Sequence, residues 1–238
     1  MVWAGETYNV GSAKKLEGTV GLTLIFVSDA TSDWTVAERR EMRQKLRTGE
    51  RWLEAYAREY SIPLNFRNKV ILGGRNLKLA RLPAGIRSGH EDVTLVSTLA
   101  QTLGKDSPQA FLRTRPDQQA VLMFLKRDGA SYAIPQEQGL DSQYDVEGIV
   151  LYQAFDSTTP NCASCIAHEI LHIFGAWDLY ATFQTTVEQE KQAKRLHPNS
   201  IMLRTSYDIE ELTIDPITCW RIGWCTQPDQ AYFFQPQP

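Results

Sequence analysis

His168-Glu169-Ile170-Leu171-His172 sets two imidazoles four residues apart with a carboxylate between them. That spacing can hold one zinc ion from a single helical turn. On a helix, residues four apart share a face and stand about 6 Å apart along the axis. Glu169 points about 100° round from His168, so it faces the open side of such an ion rather than binding it. Gly175 follows His172 by three residues. Glycine accepts a positive φ without strain, so the helix is expected to stop there and turn sharply. The turn carries the chain back under the metal, where Asp178 can give a carboxylate oxygen as third ligand. Two imidazoles and one carboxylate leave a zinc ion one open position for water, which is the catalytic rather than the structural pattern.

The flanks support a buried site. Ile166, Ala167, Ile170, Leu171, Ile173 and Phe174 make the helix apolar on nearly all sides, which is the pattern of a helix in the middle of a domain. The plainer alternative, a surface helix with a His/Glu/His face, does not call for such flanks. Two histidines and a glutamate in a buried helix need partners, and a metal supplies them.

Taken together, His168, Glu169, His172, Gly175 and Asp178 match H-E-x-x-H-x-x-G-x-x-H/D, and on these residues the chain resembles the metzincin zinc peptidases. The aspartate in the last place resembles the snapalysin-like minority of that clan. Downstream, His197-Pro198-Asn199-Ser200-Ile201-Met202 looks like the family's Met-turn, with Met202 as apolar support beneath the ligands. These motifs lie in the last third of the chain; the earlier part agrees in its order of elements only. Some metzincins carry a tyrosine two residues past the methionine that helps bind the oxyanion. Here Arg204 holds that place, and the nearest tyrosine is Tyr207, five past Met202, which is kept as a candidate oxyanion or substrate residue.

The resemblance implies one catalytic Zn²⁺ and hydrolysis of peptide bonds without a covalent intermediate. Glu169 would take a proton from the attacking water and pass it to the leaving amine. An acidic third ligand would cancel one unit of zinc charge and raise the water's pKa relative to three histidines. The substrate would be a protein or peptide bound in extended form beside a short edge strand, here mapped to Ala130–Ile134. The implied fold is α/β (α+β): a twisted, mostly parallel sheet with an antiparallel edge strand packed on long helices. An active-site helix and a small C-terminal subdomain with the Met-turn and a terminal helix complete it. Residues 1–238 would form a single catalytic domain, with an upper part near 1–175 and a lower part near 176–238.

Two other readings stay open. In a gluzincin-type peptidase, Glu188 or Glu190 would be the third ligand and Gly175 and Asp178 would be coincidence. In a non-catalytic, zinc-stabilised binding protein the metal would only hold the fold; Glu169 argues against that, since a structural site has no use for a general base. His197 is a further ligand source should Asp178 fail.

Composition fits one sizeable domain. The 238 residues are 42% hydrophobic and 22% charged, with a formal net charge of −3, so neither a nucleic-acid-binding polycation nor an acidic tail is indicated. The longest apolar run, near Val20–Val27, is strand-sized, and no membrane span is expected. Met1 to Gly18 shows no basic region followed by an apolar core, so no signal peptide is visible, although the family resemblance favours export. A monomer is expected. Of the four cysteines, Cys162 and Cys165 form a C-x-x-C before the metal helix, while Cys219 and Cys225 lie near the C-terminus. Three disulfide connectivities, a second zinc site made by all four, or free buried thiols are the alternatives.

The elements that must position the site follow in order. Thr19–Ser28 is a β-branched, apolar strand. Thr31-Ser32-Asp33 offers N-caps for a helix from about Trp34 to Tyr60, which Gly49 could interrupt. Leu64–Leu72 is a second strand; residues 75–92 are a basic, glycine-rich loop whose His90 is not taken as a ligand; Val93–Leu103 is a short helix. Ala120–Lys126 is a buried strand, Ser131–Ile134 a brief edge strand stopped by Pro135, and Gly148–Phe155 the last strand before the metal helix. Thr185–Leu196 forms a charged helix, and Asp215-Pro216 starts a final one running through Trp220 and Trp224.

Overall fold

The computed structural model describes residues 13–28, 33–70, 77–78, 116–135, 147–182 and 184–235. The fold is mixed α/β, with a mostly parallel sheet and several helices. Strand β1 (Gly18–Ser28) leads into helix α1 (Val36–Glu59), then β2 (Leu64–Val70) and the two-residue β3 (Leu77–Lys78). Strands β4 (Gln118–Asp128), β5 (Tyr132–Ile134), β6 (Glu147–Asp156) and β7 (Thr159–Pro160) precede helix α2 (Ala163–Ile173). Helices α3 (Val187–Leu196) and α4 (Pro216–Arg221) follow. His90 and the helix expected at Val93–Leu103 fall outside the described residues, as does most of the expected loop around them.

The sheet runs β2-β1-β4-β6-β5, with β3 beside the end of β1 and β7 beside β6. β1, β2, β4 and β6 are parallel, while β5 lies antiparallel on β6, pairing Tyr132 with Val150 and Ile134 with Gly148. Alternate residues Leu22, Leu24 and Phe26 of β1, Leu122 and Phe124 of β4, and Ile149 and Leu151 of β6 join one core with Met42, Leu46 and Leu53 of α1. Ile25, Val27, Met123, Leu125 and Val150, on the opposite face, are buried as well. A parallel sheet buried on both faces needs such near-continuous apolar runs. Each fully buried side chain of this kind contributes about 1.5–3 kcal/mol.

Thr35, rather than any of residues 31–33, caps α1. It forms a capping box with Glu38, whose carboxylate accepts from the Thr35 N–H at 2.8 Å. Gly49 does not interrupt the helix. It makes room: a Cβ there would lie 2.9 Å from the Ala163 carbonyl oxygen and 3.3 Å from Ala167 Cβ. α1 therefore packs directly on the first turns of α2. The final helix ends at Arg221, short of Trp224, whose indole instead donates to the Leu16 carbonyl. No helix among the described residues is long and apolar enough to cross a membrane.

Candidate metal centre

α2 starts at Cys162, an extended N-cap whose sulfur accepts from the Cys165 N–H at 3.3 Å. Cys162 and Cys165 are joined as a disulfide, and Cys219 and Cys225 are thiols, so the four do not form one zinc cluster. The helix ends as a Schellman turn. Gly175, at φ +95°, donates to the His172 carbonyl at 2.9 Å, and Ala176 donates to Leu171 at 3.2 Å. This reversal brings Asp178 beside the two histidines.

His168 Nε2 lies 3.0 Å from His172 Nε2, and Asp178 Oδ1 lies 3.2 Å and 3.1 Å from them. Both Nδ1 atoms contact backbone carbonyls: His168 that of Ile201 at 2.9 Å, His172 that of Ala176 at 2.8 Å. Carbonyl oxygens only accept, so each Nδ1 carries its hydrogen and each neutral ring turns a lone pair at Nε2 toward the other. Three lone-pair atoms converging at such distances repel unless a cation sits among them. A tetrahedral ion with ligand distances of about 2.0–2.1 Å separates its ligand atoms by about 3.3 Å, so the donor set fits a metal of zinc's kind. Among the described residues it is the one group of three or more His, Cys, Asp or Glu side chains so arranged.

With no metal bound, charge distributes by the same logic. Burial lowers the His172 imidazolium, but the adjoining Asp178 carboxylate outweighs this and raises it to about 9. Burial pushes Asp178 up, yet the two histidines hold it well below the usual carboxylate range. Glu169 is 7% exposed. Burial raises its carboxyl, Asp178 adds to the rise, and His168 and His172 oppose it.

A cavity of about 360 Å³ opens beside the triad, reaching it at His168. His168 and Glu169 line it together with Ser131, of the segment entering β5, and Leu203 and Thr205. Tyr180 also lines it, with its ring 6.1 Å from that of His168. Burial, together with the nearby Asp178 and Glu169 carboxylates, raises its phenol above the ordinary pKa. Sequence spacing alone missed this residue; the available signal was its place two residues past Asp178, on the same turn. Tyr207 stands elsewhere. It is 67% exposed and donates to the Pro160 carbonyl at 3.2 Å.

Met202 is fully buried, and its carbonyl accepts from the Leu179 N–H at 2.9 Å. The 197–202 turn thus touches both sides of the triad, through Ile201 to His168 and through Met202 to the residue after Asp178. Glu188 and Glu190 pair with Lys191 and Lys194, and His197 Nε2 meets Gln230, so all three lie outside the triad.

Comparison with family models and with curated proteins gives no match. Among solved structures the chain is similar to metalloproteinase-II from Bacteroides fragilis, at 14% sequence identity and a TM-score of 0.45. The match covers 90% of this chain and 55% of that one, so this chain spans about half the length of that protein.

Proposed function

We propose that this chain is a zinc-dependent endopeptidase of the metzincin kind, hydrolysing peptide bonds in a polypeptide bound in extended form. The observation that carries the reading is the convergence of His168, His172 and Asp178 at 3.0–3.2 Å, with a second carboxylate, Glu169, that lines a cavity beside His168 without joining the three. His168, His172 and Asp178 would hold the ion. When bound, zinc would supply a Lewis acid for the scissile carbonyl and lower the pKa of water.

The chain's own residues do the rest. Glu169 accepts a proton from the attacking water and returns it to the leaving nitrogen. Burial favours its neutral form, which suits a carboxyl that must gain and give a proton in one cycle. Tyr180 stays a neutral hydrogen-bond donor at working pH and lines the cavity where a carbonyl oxygen would gain charge. β5 is the edge of the sheet beside that cavity, and its outward N–H and C=O groups can pair with an extended substrate. The fold up to residue 175 and the part from 176 onward would then be the two sides of one cleft in a single catalytic domain.

The test is cleavage of a peptide library read by mass spectrometry, with and without chelator, for the natural protein and for Glu169→Gln. The natural protein should cleave, chelator should abolish cleavage, and Glu169→Gln should keep its zinc while losing about 10²–10⁴-fold in rate. Cleavage by Glu169→Gln near the natural rate, or cleavage undiminished without metal, would overturn the reading.

A further inference from the structure

We propose that Arg221 is a positioning residue for the metal centre: α4 braces the two turns that hold His168 and Asp178, and Arg221 fixes the second of them. The inference rests on the metal site proposed above, though not on any reaction performed there.

α4 is anchored at its start by Asp215, whose Oδ1 accepts from the N–H groups of Ile217 and Thr218 at 2.9 and 3.0 Å. The other oxygen of Asp215 accepts from Ser200 Oγ at 2.7 Å. Ser200 lies in the 197–202 turn, and its Oγ also accepts from the Met202 N–H at 3.1 Å. Ile201, between them, gives its carbonyl to His168. The beginning of α4 is therefore tied to the turn that orients the first imidazole.

The end of α4 is tied to the other turn. Arg221 Nε donates to the Gly175 carbonyl at 2.7 Å, and Cζ stands 4.2 Å from the centre of the Trp177 ring. Trp220 is also near, 5.6 Å from Cζ and edge-on to Trp177 at 5.7 Å. One guanidinium thus grips residues 175 and 177, on either side of Ala176, whose carbonyl is held by His172. Asp178 is the next residue, so its carboxylate is placed by a turn held from both directions. Arg221 is only 7% exposed. Burying a guanidinium is costly, and an apolar residue would fill that space more cheaply. What an apolar residue lacks is a planar fork that can hydrogen-bond a carbonyl through its edge while stacking on an indole through its face.

The experiment measures zinc affinity by competition with a chromophoric chelator, and the visible spectrum of the cobalt-substituted protein, for the natural chain, Arg221→Met and Arg221→Lys. Arg221→Met should bind zinc about 10–100-fold more weakly and show shifted cobalt bands. Arg221→Lys, which keeps the charge but not the fork, should fall between. The zinc-free proteins should melt within a few degrees of one another. Should Arg221→Met fail to fold, Arg221→Lys and Trp177→Leu, each retaining one of the two contacts, carry the same comparison. Natural affinity and an unchanged cobalt spectrum in the folded variants would overturn the positioning role. So would a loss of affinity matched by an equal loss of stability in the zinc-free protein. A natural chain that takes up no zinc would remove the metal site itself, and the role with it.

Discussion

The Nε2 atoms of His168 and His172 face each other at 3.0 Å while both Nδ1 hydrogens are committed to backbone carbonyls. Without a metal, a proton is the cation available to ease that approach. Burial opposes that proton, but the adjoining Asp178 carboxylate outweighs it and lets His172 hold the proton up to about pH 9 against an ordinary 6.5. Its pKa is raised on folding, so its contribution to the stability of the metal-free chain is complete below pH 6.5 and is lost as pH rises through about 9. In the proposed function, a zinc ion held at this nitrogen would have to displace that proton. Calorimetric titration in buffers of different ionisation heat should show close to one proton released per zinc near pH 7.5, falling toward none above about pH 10. Release that is absent at pH 7.5 would contradict the assignment.

Gly175 makes its turn at φ +95°, and a Cβ there would meet the Arg221 guanidinium at 3.4 Å. The obstacle to a side chain is therefore backbone conformation more than space. Gly175→Val should destabilise the protein by about 1–3 kcal/mol and lower zinc occupancy although residue 175 gives no ligand atom. Denaturant melts and metal analysis measure the two effects. A variant with natural stability and full zinc would show that the turn tolerates an ordinary residue.

Two tyrosines compete for a role beside the metal, and their surroundings separate them. Tyr180 lines the cavity with its ring 6.1 Å from that of His168, whereas Tyr207 lies exposed on the Pro160 carbonyl. Tyr180→Phe should lower kcat/KM by about 10–100-fold with zinc retained. Tyr207→Phe should stay within about twofold, since a lost surface hydrogen bond costs little. Steady-state kinetics on zinc-loaded proteins decides, and the opposite ranking would return the role to Tyr207.

Glu50 is 5% exposed on the face of α1 against β2, and both its oxygens accept from Asn68 Nδ2, at 2.8 and 3.0 Å. Burial raises its carboxyl from 4.5 to about 7, with the Asn68 hydrogen bond opposing. A raised carboxyl favours the fold while protonated: the benefit is complete below pH 4.5 and is lost as pH rises through about 7. Glu50→Gln should therefore be more stable than the natural protein by about 2–3 kcal/mol at pH 8, with the gap closing toward pH 4.5. Urea melts of both proteins across that range test it, and a constant gap would mean that ionisation of Glu50 is not the cause.

The parts legible in the sequence are those encoded over short spans. His168, His172, Gly175 and Asp178 lie within eleven residues, and helical spacing plus one positive-φ turn is enough to bring three of them to one point. The central strands β1, β4 and β6 are legible because a sheet buried on both faces writes itself as apolar runs. What resisted reading depends on long-range contact. Gly49 looked like a helix break because its neighbour, Ala163, is more than a hundred residues away in the chain. Spacing points to Tyr207 and passes over Tyr180, because the path past Met202 that leads Tyr207 to Pro160 is set by long-range contact. Arg221 carries no local signal, because its partners Gly175 and Trp177 lie more than forty residues earlier in the chain. The cysteine pairing was open because four thiols allow three connectivities and nothing local chooses among them.

The contact at Gly49 bears on how this chain can vary over generations. α1 turns its surface by about 100° for each residue added or removed. One residue gained or lost between Thr35 and Gly49 would swing a side chain into the Ala163 carbonyl while the cap stayed in place, so the metal-bearing helix would be pushed from behind. Substitutions on the solvent side of that segment leave the contact alone. Lineages of this protein should therefore drift freely in the identity of those exposed residues while keeping their number constant, a counting rule that sequencing of relatives can check without any assay.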